Sequence, residues 1–248
     1  MRVVVLGGLG GWPSASQGCA GFLIEHQGFR LLVDPGYATL QPLLTRLSAA
    51  AVDAVYVSHG HPDHCADLEP LLRARVLADR SVPALPVYAP TGSLDALLAI
   101  DEPGLIDPAY RLHGFTPGDG FDIGPYAVRT WSLPHWVPNA GLRLSVGGTV
   151  LAYTGDTGPS PALVELARDA DLLIADATYV DQMPDRQVGF LSSAAEVGRY
   201  ATAARTKEVL LTHLWPGTSP DAAVAAARRA FRGPVGVARP GLVVDVPA

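Results

Sequence analysis

The chain has 248 residues, of which 48% are hydrophobic and 17% charged, and it carries a formal net charge of −6. This size and composition support a sizeable hydrophobic core, and we predict a single domain over residues 1–248. No apolar run is long enough to span a membrane, and no run of lysines and arginines marks a nucleic-acid surface. The two cysteines imply no disulfide framework. The first residues are typical of a β-strand and not of a signal peptide, so a cytoplasmic protein is the default expectation.

The first half of the chain alternates apolar runs with turns and predicts short strands separated by helices. Residues 2–7 predict a strand that ends in a glycine-rich loop. This loop fits neither a dinucleotide-binding motif nor a P-loop, and we place it at the rim of a site as a mobile loop. Thr91 or Ser93 is expected to cap a helix that runs to residue 100. The other predicted elements are a hairpin over 19–25 and 29–33, a helix over 40–47, strands over 54–57 and 86–89, and a Leu-rich helix that ends near residue 78.

The second half of the chain is also rich in strands, with helices between them. Residues 101–118 contain many Pro, Gly and Asp residues and predict a loop that includes His113. Ser193 and Glu196 form a capping-box pattern at the start of one helix, and Ser219-Pro220 begins the last helix. The remaining predictions are strands over 120–123, 126–133, 142–146, 149–153, 172–175 and 208–211, strands near Val235 and Val243, and a helix over 161–170. This order favours a layered α/β fold.

Four side chains of the metal-ligand type follow the predicted strand over 54–57 within six positions. They are His59, His61, Asp63 and His64. Glycine and proline between them break the regular backbone, so the loop can turn several side chains towards one point. Three imidazoles and a carboxylate cannot converge in apolar surroundings without a compensating cation. Nitrogen and carboxylate ligands without a thiolate suit zinc first, with manganese or iron as alternatives.

Three further residues of the same type stand where later predicted strands end. They are His135, Asp156 and His213. Because these polar residues repeatedly terminate strands, we expect them to meet the His-rich loop at one edge of the sheets. These four strand ends therefore suggest one site at one edge of the sheets.

The order of these motifs resembles the metallo-β-lactamase-fold hydrolase superfamily over nearly the whole chain. The motifs are His59-x-His61-x-Asp63-His64, the lone His135, Gly155-Asp156-Thr157, Thr212-His213 and the early Asp34-Pro35-Gly36. The resemblance implies an αββα sandwich, with two mixed β-sheets flanked by helices and a two-metal site between the sheet edges. It also implies that two zinc ions bind per chain. His59, His61 and His135 would hold the first, Asp63, His64 and His213 the second, and Asp156 would bridge them.

The chemistry implied by this resemblance is hydrolysis by a hydroxide held between the two ions, whose pKa the metals lower towards neutrality. Asp63 has a second possible role, as the catalytic residue that orients this nucleophile. The ligand set contains no cysteine, unlike that of several true β-lactamases of the superfamily. An antibiotic hydrolase is therefore not the expected function.

Within the superfamily, the chain is most similar to the branch of tRNA 3′-processing endonucleases and small phosphodiesterases. Residues 151–160 and 210–219 carry this similarity. The tRNA-processing enzymes have a His-Glu-Ala-Thr motif, whereas this chain has Ala-Asp-Ala-Thr at 175–178 and so lacks the His. Only twenty residues separate His135 from Asp156, which leaves no room for the arm that grips tRNA. These departures and the acidic charge argue against tRNA as a partner and predict a small-molecule substrate.

The proton donor to the leaving group stays open among three residues, Asp176, His113 and Tyr179. In the small-phosphodiesterase subgroup a His often precedes a Leu-Ser pair, but Phe190 stands at that position here. Asp176 ends a predicted buried strand, so it is a candidate catalytic residue and equally a candidate partner that orients a metal-bound His. The tryptophans at 12, 136 and 215 each lie beside a site loop, where either base stacking or packing accounts for them.

Three functions are compatible with these residues. The leading one is a zinc-dependent phosphodiesterase that acts on a small phosphodiester such as a cyclic nucleotide. The alternative is a hydrolase of the same fold that opens a thioester, a lactone or another ester, because the metal site serves either chemistry. A metal-binding protein without catalysis is the third, and seven intact ligands argue against it. Relatives in the superfamily commonly form dimers, so a homodimer is a further expectation.

Overall fold

The computed structural model describes residues 1–78, 81–100 and 102–247. Within these ranges the strands form two mixed sheets. The first sheet contains β1 (Arg2–Leu9), β2 (Gly18–Cys19), β3 (Gly21–His26), β4 (Phe29–Val33), β5 (Ala54–Tyr56), β6 (Leu85–Pro90), β7 (Tyr110–Phe115) and, from the end of the chain, β15 (Val243–Asp245). The second sheet contains β8 (Gly120–Ile123), β9 (Tyr126–Leu133), β10 (Asn139–Val146), β11 (Thr149–Tyr153), β12 (Leu172–Asp176), β13 (Glu208–Thr212) and β14 (Val235–Val237).

Each sheet has an antiparallel part and a parallel part. The first sheet has the strand order β15-β1-β3-β4-β5-β6-β7, with β2 paired to β1. Its strands are antiparallel from β15 to β4 and parallel from β4 to β7. The second sheet has the order β14-β13-β12-β11-β10-β9-β8, parallel from β14 to β11 and antiparallel beyond.

Helices cover the outer face of each sheet. The α-helices are α1 (Leu40–Leu44), α2 (Pro62–Cys65), α3 (Leu68–Ala78), α4 (Asp95–Leu98), α5 (Pro161–Ala167), α6 (Ala194–Ala203) and α7 (Pro220–Arg228). Side chains of α1, α3 and α4 pack with the outer face of the first sheet, and those of α5, α6 and α7 pack with the outer face of the second. A third apolar cluster fills the space between the two sheets. This arrangement is the αββα sandwich, so the predicted fold class is confirmed.

The first strand shows why the central strands are continuous apolar runs. Val3 and Val5 of β1 belong to the core between the sheets, whereas Val4 and Leu6 pack under the helices. Successive side chains of a strand point to opposite faces, and both faces of this strand are buried. β12, inside the second sheet, shows the same alternation. Ile174 lies on its inner face and Leu173 on its outer face.

One predicted loop contains a strand. Of residues 101–118, position 101 lies outside the described residues, and Tyr110–Phe115 forms β7, paired in parallel with β6. β7 is the last strand of its sheet, and residues 111–114 are exposed. Polar side chains are tolerated at these positions because they face solvent, while the backbone pairs with β6 on one side. The loop prediction was wrong for these residues, and His113 lies on an edge strand.

Several predicted element boundaries were also wrong. The expected caps Thr91 and Ser93 do not cap α4, whose N-cap residue is Leu94 without a side-chain hydrogen bond. The Thr91 hydroxyl instead donates to the carbonyl of Phe115 in the neighbouring β7, so a tertiary contact replaced the local cap. The helices predicted over 40–47 and 161–170 end earlier, at Leu44 and Ala167. By contrast, the capping box of α6 and the Ser219 cap of α7 are confirmed.

No helix within the described ranges is both long enough and apolar enough to cross a membrane.

Candidate metal centre

All seven predicted ligands lie at one edge of the sandwich, where several strands end. His59 follows β5 of the first sheet, and the other residues of that motif lie in the next loop and in α2. His135, Asp156 and His213 follow β9, β11 and β13 of the second sheet. These three strands run in the same direction, so their carboxyl ends meet at one edge. His213 adopts a left-handed backbone with φ of 62°, a conformation that is uncommon for residues other than glycine.

Four of these residues form a first group of potential ligands. They are His59, His61, His135 and Asp156, whose ligand atoms all lie within 4.8 Å of one another. His61 Nδ1 lies 3.2 Å from His59 Nε2 and 3.0 Å from His135 Nε2. Asp156 Oδ2 closes the group at 3.9 Å from His59 Nε2 and 3.8 Å from His135 Nε2. We call this group the first pocket.

The second pocket consists of Asp63, His64 and His213, and it shares Asp156 with the first. His213 Nε2 lies 3.0 Å from Asp156 Oδ2 and 3.2 Å from Asp63 Oδ2. His64 Nε2 lies 3.1 Å from the other oxygen of Asp156. The structure thus brings together all seven residues singled out in the sequence, with one carboxylate common to both pockets.

Hydrogen bonds behind the rings of the first pocket fix which nitrogen carries the proton. The Ser58 hydroxyl donates to Asp34 Oδ2 at 2.6 Å, so it accepts from His59 Nδ1, which lies 3.0 Å away. His135 Nδ1 donates to the carbonyl of Phe190 at 2.9 Å. In both rings the proton sits on Nδ1, and Nε2 turns a lone pair towards the pocket.

The rings of the second pocket are held in the same way. His64 Nδ1 donates to Asp34 Oδ2 at 2.8 Å. The Thr178 hydroxyl donates to Asp176 Oδ1 at 2.6 Å and accepts from His213 Nδ1 at 2.7 Å. Each ring therefore turns its Nε2, the nitrogen left to bind a cation, towards the carboxylates of this pocket, an orientation typical of metal-binding histidines.

These converging nitrogen and oxygen atoms make the residues fit two divalent cations. His64 Nε2 and Asp156 Oδ1 are buried, lie 3.1 Å apart and make no hydrogen bond of good geometry with the residues described here. Buried polar atoms of this kind require a partner, and a cation in each pocket would provide one. Imidazole nitrogens and carboxylate oxygens are ligands that zinc, manganese and iron accept.

The charges around the pockets lead to the same conclusion. Burial lowers the pKa of the His59 imidazole well below its ordinary value. Burial also disfavours the charged form of His64 and His213, but the carboxylates of Asp156 and Asp63 outweigh it and hold both pKa values well above the ordinary one. Burial opposes ionisation of Asp156, yet the imidazoles of His213 and His64 keep its pKa well below its usual range. The second pocket therefore attracts positive charge.

The sequence analysis missed the functional importance of Asp34. Its buried carboxylate accepts four hydrogen bonds, from the amide and hydroxyl of Ser58 at 2.7 and 2.6 Å, from His64 Nδ1 at 2.8 Å and from the Tyr153 hydroxyl at 2.6 Å. Through Ser58 it orients His59 of the first pocket, and directly it orients His64 of the second. Its signals in the sequence were an acidic residue at the end of a buried strand and its place in the Asp34-Pro35-Gly36 motif, to which the sequence analysis assigned no role.

Asp176, a candidate catalytic residue, lies behind His213 and has no exposed surface. Its carboxylate accepts from the amide and hydroxyl of Thr178 at 2.9 and 2.6 Å and from the amides of Thr157 and Ser192 at 3.1 Å each. A side chain enclosed in this way orients Thr178 and, through it, His213. This environment supports the orienting role over proton donation to a substrate.

The other two candidate proton donors differ in position. The ring of His113 stacks on Tyr88 at 4.7 Å, on the edge strand β7, and His113 belongs to neither pocket. Tyr179 follows Thr178, and its ring packs against Trp215 at 5.3 Å. Its hydroxyl donates to the side chain of Gln187. Tyr179 therefore differs from the other two candidates. It lies beside the pockets and its side chain is partly exposed, whereas Asp176 is buried and His113 is outside both pockets.

The glycine-rich loop after β1 lies at the rim of the second pocket. The Gly11 amide donates to Asp63 Oδ2 at 2.7 Å, and the Gly10 amide donates to the carbonyl of Leu214 at 3.1 Å. A Cβ atom at Gly10 would lie 2.5 Å from the His213 ring. Glycine is required here because the loop backbone packs directly against a potential ligand.

Comparison with known proteins identifies the class to which this fold and site belong. A family model described as a beta-lactamase superfamily domain matches residues 29–214, and the chain belongs to this superfamily. Over 250 residues it is 30% identical to the probable metallo-hydrolase YhfI of Bacillus subtilis (strain 168), covering 98% of this chain and 99% of that protein. The chain is therefore a metal-dependent hydrolase of the metallo-β-lactamase fold.

Solved structures show the same fold. The crystal structure of the metallo-beta-lactamase fold protein YhfI from Bacillus subtilis matches with a TM-score of 0.89 at 29% identity, over 98% of both chains. The short form of human tRNase Z matches with a TM-score of 0.80 at 24% identity, over 100% of both chains. A diphosphatase from the PhnP family matches with a TM-score of 0.75 at 19% identity, over 99% of this chain and 98% of that chain. Because a tRNase is among these neighbours, the expectation that tRNA is not a partner stays a prediction.

Proposed function

We propose that the protein hydrolyses a small phosphodiester, such as a cyclic nucleotide, with two metal ions in the two pockets and zinc as the first choice of metal. The observation that carries this proposal is the compact segment between His135 and Asp156. It consists of β10 and β11, joined at Gly147-Gly148, and both strands are paired within the second sheet. With no projecting arm to hold a large polynucleotide, the site suits a small substrate. The tRNase and diphosphatase neighbours support chemistry at phosphorus.

The two pockets assign the ions to named residues. His59, His61 and His135 would hold one ion, Asp63, His64 and His213 the other, and Asp156 would contact both. When bound, such a pair of divalent cations activates water and neutralises the oxygens of a phosphoryl group. The ions would supply much of the positive charge at the site, where the ion-pair partners recorded for Asp63 and Asp156 are histidines.

Asp63 is the residue of this chain that we expect to orient the attacking water. Its carboxylate stays ionised at neutral pH, because burial is outweighed by the His64 imidazole and the His213 hydrogen bond, which lower its pKa. The Gly11 amide holds one of its oxygens at 2.7 Å. An ionised carboxylate fixed in this way can accept a hydrogen bond from a water molecule and align it with the phosphorus.

The test is a paired hydrolysis assay on purified protein of known metal content. Bis(p-nitrophenyl) phosphate and cyclic nucleotides would be compared with a thioester and lactone panel and with a precursor tRNA that carries a 3′ trailer. We expect phosphodiester cleavage that depends on the metal and little or no turnover of the esters. Ester turnover without phosphodiester cleavage would instead make the protein a carbon-centre hydrolase, and cleavage of the tRNA trailer would make it an endonuclease.

A further inference from the structure

An exposed aromatic pair lies beside the first pocket. The indole of Trp136 packs against the ring of His135, with centroids 5.0 Å apart, and stacks on Phe190 at 5.1 Å and 19°. The backbone carbonyl of Phe190 accepts the His135 Nδ1 proton, so the pair is fixed relative to a potential ligand. Trp136 nevertheless remains 49% exposed. We call Trp136 and Phe190 the first platform.

A second aromatic cluster lies beside the second pocket. Trp12 follows Gly11, whose amide contacts Asp63, and its indole lies 5.5 Å from that of Trp215, two residues beyond His213. The Tyr179 ring packs against Trp215, with centroids 5.3 Å apart. Trp12 is also 49% exposed. We call Trp12, Trp215 and Tyr179 the second platform.

Both platforms have the form that stacking requires. In each, one indole is supported by another ring and keeps an exposed part, which offers a rigid apolar surface to a planar group. Burying such a ring in the core would be the ordinary way to stabilise the fold, yet these two indoles stay half exposed next to a buried polar site. Proteins that bind nucleotides use exposed aromatic rings to stack on bases.

From this arrangement we propose that the two platforms bind two nucleobases, one on each side of the scissile phosphodiester, so that the substrate class is a dinucleotide. This inference rests on the proposed phosphodiesterase function and narrows its substrate. One platform adjoins each pocket, and the pockets share Asp156. A phosphodiester held by ions in the two pockets would therefore have one ester substituent towards each platform. Trp136 and Trp12 would then determine specificity without taking part in the chemistry.

The kinetic test compares two substrates on the metal-loaded full-length protein. One is adenylyl-(3′→5′)-adenosine, and the other is the same sugar–phosphate backbone without either base. For Trp12→Ala and for Trp136→Ala, kcat/KM for the dinucleotide is expected to fall about tenfold, mainly through KM. Trp136→Phe, which keeps a ring, should recover most of that loss. Trp131→Phe is the control, since the Trp131 ring lies under the Arg129 guanidinium and contacts neither platform.

The outcomes separate the platforms from general damage to the site. A fall in kcat/KM for the dinucleotide alone supports the proposal. An equal fall in kcat/KM for both substrates, or no fall for either, overturns it. A loss in only one alanine variant overturns the two-sided arrangement and indicates a substrate with one base, such as a cyclic mononucleotide.

A binding measurement keeps the inference independent of turnover. Adenosine 5′-monophosphate is a phosphomonoester that a phosphodiesterase does not cleave, and its binding can be followed by quenching of tryptophan fluorescence. A dissociation constant for adenosine 5′-monophosphate that rises in Trp12→Ala and in Trp136→Ala supports stacking even if no phosphodiester is hydrolysed, in which case only the proposed function fails. If adenosine 5′-monophosphate does not quench the fluorescence of the unmodified protein, the proposal that the platforms bind nucleobases is overturned.

Discussion

The Asp156 carboxylate is the one side chain that belongs to both pockets. One of its oxygens lies 3.0 Å from His213 Nε2 and the other 3.1 Å from His64 Nε2. We expect Asp156→Ala to lower kcat/KM more than about 100-fold and to reduce the metal content below two ions per chain, because both pockets lose an anionic ligand. Activity assays and elemental analysis measure the two effects. Asp122→Ala, on the exposed part of β8, is the control, and full turnover by Asp156→Ala would mean that the site is misassigned.

Asp34 is the residue whose importance depends on hydrogen bonds and not on metal contact. In Asp34→Asn one acceptor oxygen becomes a donor, which opposes the donors of Ser58, His64 and Tyr153. We expect metal affinity to fall about 10- to 100-fold, because the His64 and His59 rings lose the partner that orients them. The free energy of unfolding should fall by about 1–3 kcal/mol for each buried donor left without a partner. Chelator competition and urea denaturation measure these changes.

The matched control for this variant is Asp53→Asn. Asp53 also accepts a backbone hydrogen bond, from the Arg30 amide at 2.8 Å, but its side chain is exposed and outside the site. It should leave metal affinity unchanged. If Asp34→Asn bound metal as tightly as the unmodified protein, Asp34 would not orient the ligands.

Among the structural elements, the loop that joins β1 to β2 controls the second pocket through its backbone. Gly10 is not in the left-handed region, so the effect of a substitution there is steric. In Gly10→Ala the added Cβ meets the His213 ring at 2.5 Å, far inside van der Waals contact. We expect weaker metal binding and at least about tenfold lower activity, since small displacements of ligating groups are costly, while circular dichroism shows an intact fold.

Gly120→Ala provides the comparison for that loop variant. A Cβ at Gly120 would meet nothing closer than the Val128 carbonyl at 3.5 Å, which is an ordinary contact. Its metal binding and activity should match those of the unmodified protein. Equal activity in both variants would show that the loop yields without moving His213.

Some strands and helices could be predicted from the sequence, and others could not. Strands such as β1 and β12 are buried on both faces, so their apolar runs identified them. The capping box of α6 is a contact between residues three positions apart, and a local pattern is sufficient to predict it. β7 has exposed polar residues and depends on pairing with β6, a partner distant in sequence. Its own residues therefore could not reveal it.

At the scale of the whole molecule, the metal centre joins the two sheets. His59, His61, Asp63 and His64 come from the first sheet's edge, and the other three ligands come from the second. Hydrogen bonds across the same interface connect the Tyr153 hydroxyl to Asp34 at 2.6 Å and the Tyr56 hydroxyl to the Ala140 carbonyl at 2.8 Å. Ions bound in the pockets would therefore stabilise the packing of one half on the other.

Metal removal should consequently lower thermal stability. At a free metal concentration of about 1,000 times Kd, binding of each ion contributes about 4 kcal/mol to the free energy of unfolding. For a chain of this size, chelation of one ion is therefore expected to lower Tm by about 8–16 °C. Differential scanning calorimetry before and after chelator treatment measures the shift. Asp156→Ala should show a smaller shift, and an unchanged Tm in the unmodified protein would contradict a role of the metals in joining the sheets.

The sequence by itself determined the types and the local spacing of the ligands, because His-x-His-x-Asp-His and the polar ends of buried strands are patterns within a few residues. Its element order favoured a layered α/β fold, and the resemblance carried by the motif order implied the αββα sandwich. Only the tertiary structure decided which distant groups support those ligands. Asp34 bonds to Tyr153, 119 positions away, and His135 to the carbonyl of Phe190, 55 positions away. Such contacts depend on which strand ends the folded chain brings together, and this is settled by the packing of the two sheets.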